Sequence, residues 1–175
     1  MRILYPAIYQ ARIEVHRVFE TENINISMIT ILLAADHAGY ALKSTLIERF
    51  QATYQPYTDL GTYTSDSVDY PDFAQRLVNA MTDDTVGILI CGTGIGMSIA
   101  ANRFPGIRAA VAVTPEMARL ARLHNNANVL ALGGRLIDAE TAIGIVNTFL
   151  ATNFEGGRHD RRLSKIDLVG FDAGA

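Results

Sequence analysis

Five short apolar runs, each followed by a polar turn and then by helical apolar spacing, constrain this chain more than any other feature. The runs are 29–35, 54–59, 86–90, 107–113 and 128–132. Continuous apolar runs of this length fit parallel strands buried on both faces. The second is the weakest, because Pro56 cannot donate to a ladder. The helical segments between them carry their own start and stop signals. Residues 40–51 bring Leu42, Leu46, Ile47 and Phe50 to one face. Pro71 suits a first helical turn and is followed by Phe73, Leu77, Val78 and Met81 as an inward face. A glycine turn after the third run opens a helix to about Arg103, which Pro105-Gly106 breaks. Thr114-Pro115-Glu116 reads as N-cap, first position and first-turn acid of a helix ending near His124. Asp138 caps a long helix to about Asn153, and the charged stretch 156–162 leads into a last short helix. The alternation predicts an α/β fold: a three-layer, Rossmann-like open parallel sheet of about five strands with helices on both faces. Ligands of such sheets bind beyond the carboxyl ends of the strands, near the switch in strand order. Asp36-His37, the Cys91–Gly96 turn and Arg135 fall at such addresses.

Length and composition narrow the function classes. A chain of 175 residues with 49% hydrophobic content fits one ordinary domain with a real core. Residues 28–175 form that domain in this reading. Residues 1–27 are an N-terminal extension, a short helix or a disordered arm, whose charges at Arg12, Glu14, His16 and Arg17 interrupt any signal-peptide core. A net charge of −3 supplies no basic field for nucleic acid. No apolar run reaches membrane-spanning length, so no membrane partner is expected. One cysteine excludes an internal disulfide and a cysteine-rich zinc site, and points to a reducing, cytoplasmic setting. The cations are arginines apart from Lys43 and Lys165. Arginine suits bidentate recognition of phosphate or carboxylate.

The stretch from Gly87 to Ser98 carries the chemistry. An apolar run ends in Cys91, and Gly92-Thr93-Gly94-Ile95-Gly96 turns into a helix. A thiol at a strand's carboxyl end beside the positive end of a helix sits where a thiolate is favoured. The same turn offers N–H groups to an anion. Considered alone, Cys91 is as well explained as a small buried apolar residue. The glycine spacing matches neither the dinucleotide fingerprint nor a P-loop, and no metal-ligand spacing or nucleophile elbow occurs. His124 fits the C-terminal end of a helix, where an imidazolium favours the dipole. His37 beside Asp36 fits a hydrogen-bonded turn as readily as a binding site. Arg158 and Arg162, four apart, clamp one phosphate if that stretch is helical, or form a solvated basic end.

Together these pieces resemble the ribose-5-phosphate isomerase B family, which also contains the galactose-6-phosphate isomerase subunits. The matching segments are 35–39 (ADHAG), 69–71 (DYP), 90–103 (ICGTGIGMSIAANR), 106–110 (GIRAA), 124–131 (HNNANVLA) and 155–159 (EGGRH), in order over about 29–167. The resemblance implies an aldose–ketose isomerase of phosphorylated sugars that uses no metal and no organic cofactor. It also implies a homodimer, or a dimer of dimers, with active sites shared between chains. Cys91 matches the family's catalytic base in its cysteine-containing branch, and His124 matches the residue that opens the sugar ring. Thr93 stands where a hydroxyl meets the substrate or orients the thiol. Asp36, His37 and Tyr70 match substrate contacts. Gly92, Gly94, Ile95 and Gly96 match the loop around the reacting oxygens. Asn125, Arg135, Arg158 and Arg162 match further contacts, the arginines mainly to phosphate. His37 leans toward the ribose-type branch, because the galactose-6-phosphate branch tends to lack it.

The expected activity is interconversion of ribose 5-phosphate and ribulose 5-phosphate through an enediolate. The alternatives are isomerisation of another four- to six-carbon aldose phosphate, such as allose 6-phosphate, galactose 6-phosphate or a tetrose phosphate, and a non-catalytic sugar-phosphate binding module. A nicotinamide-dependent oxidoreductase shares the fold class but lacks its fingerprint here.

Overall fold

A computed structural model describes residues 29–167. The expected extension 1–27 lies outside the described residues. Five strands form one sheet: β1 (Thr30–Ala35), β2 (Tyr57–Asp59), β3 (Thr85–Cys91), β4 (Ala109–Val111) and β5 (Val129–Gly133). Six helices connect and follow them: α1 (Tyr40–Ala52), α2 (Tyr70–Asn79), α3 (Ile95–Ala101), α4 (Pro115–Asn125), α5 (Ala139–Ala151) and α6 (Asp160–Asp167), the last entered through a 3-10 turn at Gly157–His159. The strand order is β2-β1-β3-β5-β4 and every pairing is parallel, as the alternation requires. The switch in winding direction falls between β1 and β3. Their carboxyl ends carry Asp36 and Cys91.

The strands deal their side chains alternately to two apolar layers, following the period of two. Ile31, Leu33, Ile88, Ile90, Leu130 and Leu132 pack beneath α1, α4 and α5. Leu32, Ala34, Leu89 and Cys91 face the other way, against Phe73, Leu77, Met97 and Ala101 of α2 and α3. Two of the expected caps are present. Thr114 Oγ1 accepts from Met117 N–H at 3.2 Å, and Asp138 Oδ1 accepts from Thr141 N–H at 2.7 Å. The Thr141 backbone N–H, the larger influence, holds the Asp138 carboxyl below its ordinary pKa. Two strands are shorter than their apolar runs. β2 begins only after Pro56, whose carbonyl still accepts from Ile31 N–H, and β4 is an edge strand of three residues. The helix after the glycine turn ends at Ala101 rather than Arg103, and α5 ends at Ala151 rather than Asn153.

A lysine is sealed inside this frame. Lys43, on the inner face of α1, is 1% exposed and pairs with Asp59 at the end of β2. Asp59 also accepts from Gly61 N–H at 2.9 Å.

Candidate active site

Three loops meet at the carboxyl edge of the sheet, and their backbones interlock. The carbonyls of Ile90, Cys91 and Gly92 accept from Asp36 N–H (3.1 Å), Gly134 N–H (2.8 Å) and Arg135 N–H (3.1 Å) respectively. The loops after β1 and β5 therefore fix the loop after β3 from both sides. Glycine permits the approach. A Cβ on Gly39 would lie 2.3 Å from the Ile90 carbonyl oxygen, and one on Gly134 would lie 2.7 Å from that of Ala38.

Cys91 is 5% exposed, and its Sγ accepts from Gly94 N–H at 3.1 Å. The bond exists because Gly94 takes φ +79°, which turns the chain back over the sulfur as α3 begins. Such a donor binds a charged sulfur more strongly than a neutral one. Asp36 is also buried. Its Oδ1 accepts from Ala38 and Gly39 N–H at 2.9 and 3.0 Å, so one carboxylate oxygen shapes the turn after β1. His37 Nδ1 accepts from Val68 N–H at 3.3 Å, which ties the 61–69 loop to the same edge. The Tyr70 ring lies over Gly96, where a Cβ would come within 2.9 Å of it. The Arg135 side chain crosses Gly92 in the same way, its Nη1 3.4 Å from where a Cβ would sit. Two of the N–H groups expected to face an anion are already engaged: Gly94 on sulfur, and Ile95 on Thr93 Oγ1 at 3.3 Å. The Thr93 hydroxyl caps the turn rather than the thiol, and its own proton is still able to donate.

Gly94→Ala tests this loop. Its φ costs an L-residue about 1–2 kcal/mol, and its Cβ would press on the Leu132 backbone at 3.1 Å. Gly106 has a similar φ of +76° but nothing within 4 Å. Both alanine variants should lose thermal stability, Gly94→Ala the more because its Cβ also meets backbone. Only Gly94→Ala should lose activity as well, by roughly tenfold to a hundredfold, because it shifts the sulfur's donor. Steady-state rates beside melting curves make the comparison.

The other expected residues lie elsewhere. α4 runs back antiparallel to the strands, so its last turn, with His124 and Asn125, sits at the amino edge of the sheet. Asn128, just beyond it, accepts through its carbonyl from Gly87 N–H near the start of β3. From Gly87–Val129 to Cys91–Gly133 the paired strands advance four residues, or about 13 Å. Arg158 and Arg162 follow α5 and share the amino edge, since Glu155 N–H donates to the Leu123 carbonyl at 3.1 Å. Arg158 lies in the 3-10 turn and Arg162 in α6, both exposed. One protomer thus gathers Asp36, His37, Tyr70, Cys91 to Gly96 and Arg135 at one edge. His124, Asn125, Arg158 and Arg162 gather at the other.

The amino-edge group contains two residues that sequence reasoning passed over. The imidazole of His159 is 3% exposed and stacks on that of His124, with centroids 4.4 Å apart and planes 8° from parallel. Glu155 Oε2 lies 3.7 Å from His124 Nε2 and 4.0 Å from His159 Nε2. Arg158 Nε donates to His159 Nε2 at 3.2 Å. Burial, then the neighbouring His124 and Arg158, lowers the His159 pKa. Because the Arg158 guanidinium can only donate, His159 Nε2 is the acceptor in that bond and the ring carries its proton on Nδ1. Glu155 and His159 both lie in the family-matching segment 155–159, but of that segment only Arg158 was given a role, and a histidine inside an arginine-rich run reads as solvated charge. The three side chains also bring one metal-ligand atom each within 4.8 Å. Their geometry suits an ion poorly: parallel rings cannot both point a lone pair at one metal, and the His159 lone pair already takes the Arg158 proton.

Comparison with known proteins places the chain in a family. A family model described as Ribose/Galactose Isomerase matches residues 31–166. A putative sugar phosphate isomerase of Rickettsia bellii is 50% identical over 139 residues, covering 78% of this chain and 96% of that protein. The crystal structure of a ribose 5-phosphate isomerase from Thermotoga maritima is 54% identical with a TM-score of 0.78, covering 81% of this chain and 99% of that one. The ribose-5-phosphate isomerase B of Mycoplasma genitalium, solved with bound ribulose-5-phosphate, is 42% identical with a TM-score of 0.78, covering 82% and 97%. With the family's model spanning most of the described fold, and with its glycine turn folded around the single cysteine, this chain belongs to the ribose/galactose isomerase family.

Proposed function

We propose that this protein interconverts ribose 5-phosphate and ribulose 5-phosphate, with Cys91 as the base. The observation that carries the reading is the Cys91 sulfur at the switch point, held by the Gly94 N–H. In this mechanism His124 moves the proton that opens the furanose. The Cys91 thiolate then takes the proton from C2 as O1 gains one, giving an enediol. The thiol returns its proton to C1 while O2 gives up its own, and the carbonyl forms at C2. The N–H groups of Gly92, Thr93 and Gly96 and the Thr93 hydroxyl stabilise charge on O1 and O2. Asp36, His37, Tyr70 and Asn125 hold the sugar, and Arg135, Arg158 and Arg162 hold the phosphate, whose binding energy positions the reacting carbons. The step moves protons within one substrate and calls for no cofactor.

The division of these residues between two edges supports a homodimer in which each site joins the carboxyl edge of one protomer to the amino edge of its partner. Exposed Ile95 and Ile99, one turn apart on α3, and Leu136 beside Arg135 supply apolar surface for such a contact. A base that must stay a free thiol suits a reducing compartment, and we assign the protein to the cytoplasm. Among the described residues no helix is long and apolar enough to cross a membrane.

The test is an assay of ribose 5-phosphate against allose 6-phosphate, galactose 6-phosphate and a tetrose phosphate, ranked by kcat/KM. Ribose 5-phosphate should lead, and a place near the bottom would reject the substrate assignment. Co-expressing Cys91→Ala with His124→Ala checks the shared site. Each mixed dimer rebuilds one intact site of two, so random pairing should restore about a quarter of wild-type activity. A mixture as inactive as its components would mean that both groups act within one chain.

A further inference from the structure

From the stacked histidines and their shared carboxylate we infer that Glu155 is a positioning residue for ring opening, fixing the tautomer and plane of the His124 imidazole. The inference rests on the role given above to His124. His124 is exposed on one side and lies at a helix end, where an unsupported imidazole is free to turn about its side-chain torsions. Two neighbours restrict it. The neutral His159 ring lies parallel beneath it and sets its plane. Glu155 Oε2 faces the His124 Nε2 edge at 3.7 Å. It faces His159 Nε2 as well, at 4.0 Å, but that nitrogen is accepting from Arg158 and has no proton to give. The carboxylate is thus left to accept from His124 Nε2–H, closing to hydrogen-bond length when a sugar phosphate orders the group. In a neutral imidazole a proton fixed on Nε2 leaves Nδ1 as the basic nitrogen. Nδ1 then takes the proton of the anomeric hydroxyl and delivers it to the ring oxygen as the bond from C1 to that oxygen breaks and the C1 carbonyl forms, which returns His124 to its starting state.

Substrate chemistry separates this role from a structural one. Ribose 5-phosphate closes to a furanose and needs opening. Ribulose 5-phosphate has its carbonyl at C2 and its phosphate on O5, so no hydroxyl is placed to close a five-membered ring. Exchange of its C1 proton with solvent uses the Cys91 chemistry without ring opening. The experiment measures both rates, ribose 5-phosphate turnover and C1-proton exchange of ribulose 5-phosphate in D2O, in wild type, Glu155→Ala and Glu155→Met. The methionine fills nearly the glutamate volume without an acceptor. Turnover should fall by roughly tenfold to a hundredfold in both variants, up to the lower limit of what a positioned acid or base contributes because His124 itself remains, while exchange stays within about threefold of wild type, since it needs no ring opening. Parallel loss of both rates, or loss of neither, overturns the assignment. Cys91→Ala is the control for the underlying reading. If it leaves exchange intact, the isomerase mechanism fails, whatever Glu155 does.

Discussion

Cys91→Ala should lower kcat for ribose 5-phosphate by at least about a thousandfold while leaving a folded protein that still binds the sugar phosphate. The size follows from the role. A positioned base contributes on the order of 10² to 10⁴, and the other basic groups at this edge are engaged in shaping loops, Asp36 Oδ1 by the N–H groups of Ala38 and Gly39 and His37 Nδ1 by that of Val68. The fold should survive, because alanine keeps the β-carbon that packs against Leu89 and Met97 and the pairing of Cys91 with Gly133 is made by backbone. What is lost locally is the acceptor of the Gly94 N–H, worth about 0.5–1.5 kcal/mol. Binding should persist because the arginines are untouched. Turnover within tenfold of wild type, in protein with an unchanged circular dichroism spectrum, would remove Cys91 from the mechanism.

Asp59→Ala should cost about 3 kcal/mol of stability, the lower end of the range for stranding a buried charge, since Asp59 itself is partly solvated. The cause is the asymmetry of the pair. Lys43 is 1% exposed and Asp59 is 23% exposed, so removing the aspartate leaves an ammonium sealed under α1. Its remaining neighbour is the Tyr63 ring, 5.2 Å from Nζ. A contact with that exposed ring offsets only about 0.5–1 kcal/mol. Lys43→Met should cost less, because Asp59 can turn to water. Adding Lys43→Met to Asp59→Ala should regain about 2 kcal/mol by removing the stranded charge. Urea unfolding of the four proteins at one fixed concentration measures this, since assembly would otherwise shift the midpoints. A loss below about 1 kcal/mol in Asp59→Ala would mean that the ammonium reaches solvent.

The fold was legible because its signals are local. Continuous apolar runs mark parallel strands, and Thr114, Asp138 and the two glycine turns announce helix boundaries through chemistry that acts within a few residues. The errors fell at ends. Pro56 shortened β2, and the run 107–113 was apolar for twice the length that pairs as β4. Apolar content reports burial, and the backbone bonds that define a strand need a partner chain segment as well. Within the site, the carboxyl-edge group was legible for the same reason: Asp36 follows β1, Cys91 ends β3 and Arg135 lies two residues past β5. Glu155 and His159 stood in a family-matching segment, but their role was hidden, since their sequence surroundings are those of an exposed basic segment.

The order of elements, the inward faces and the glycine turn after the sole cysteine are thus properties of the sequence itself, because each depends on residues within a turn or two of one another. Where Cys91 stands relative to His124, and what supports His124, were decided only by tertiary structure. A helix in a parallel α/β fold returns the chain to the amino edge of the sheet, so its last turn lies a strand's length from the residue that ends a neighbouring strand. The packing of α5 against α4 then brings Glu155 and His159 to the His124 ring, a contact between distant segments for which no local pattern exists.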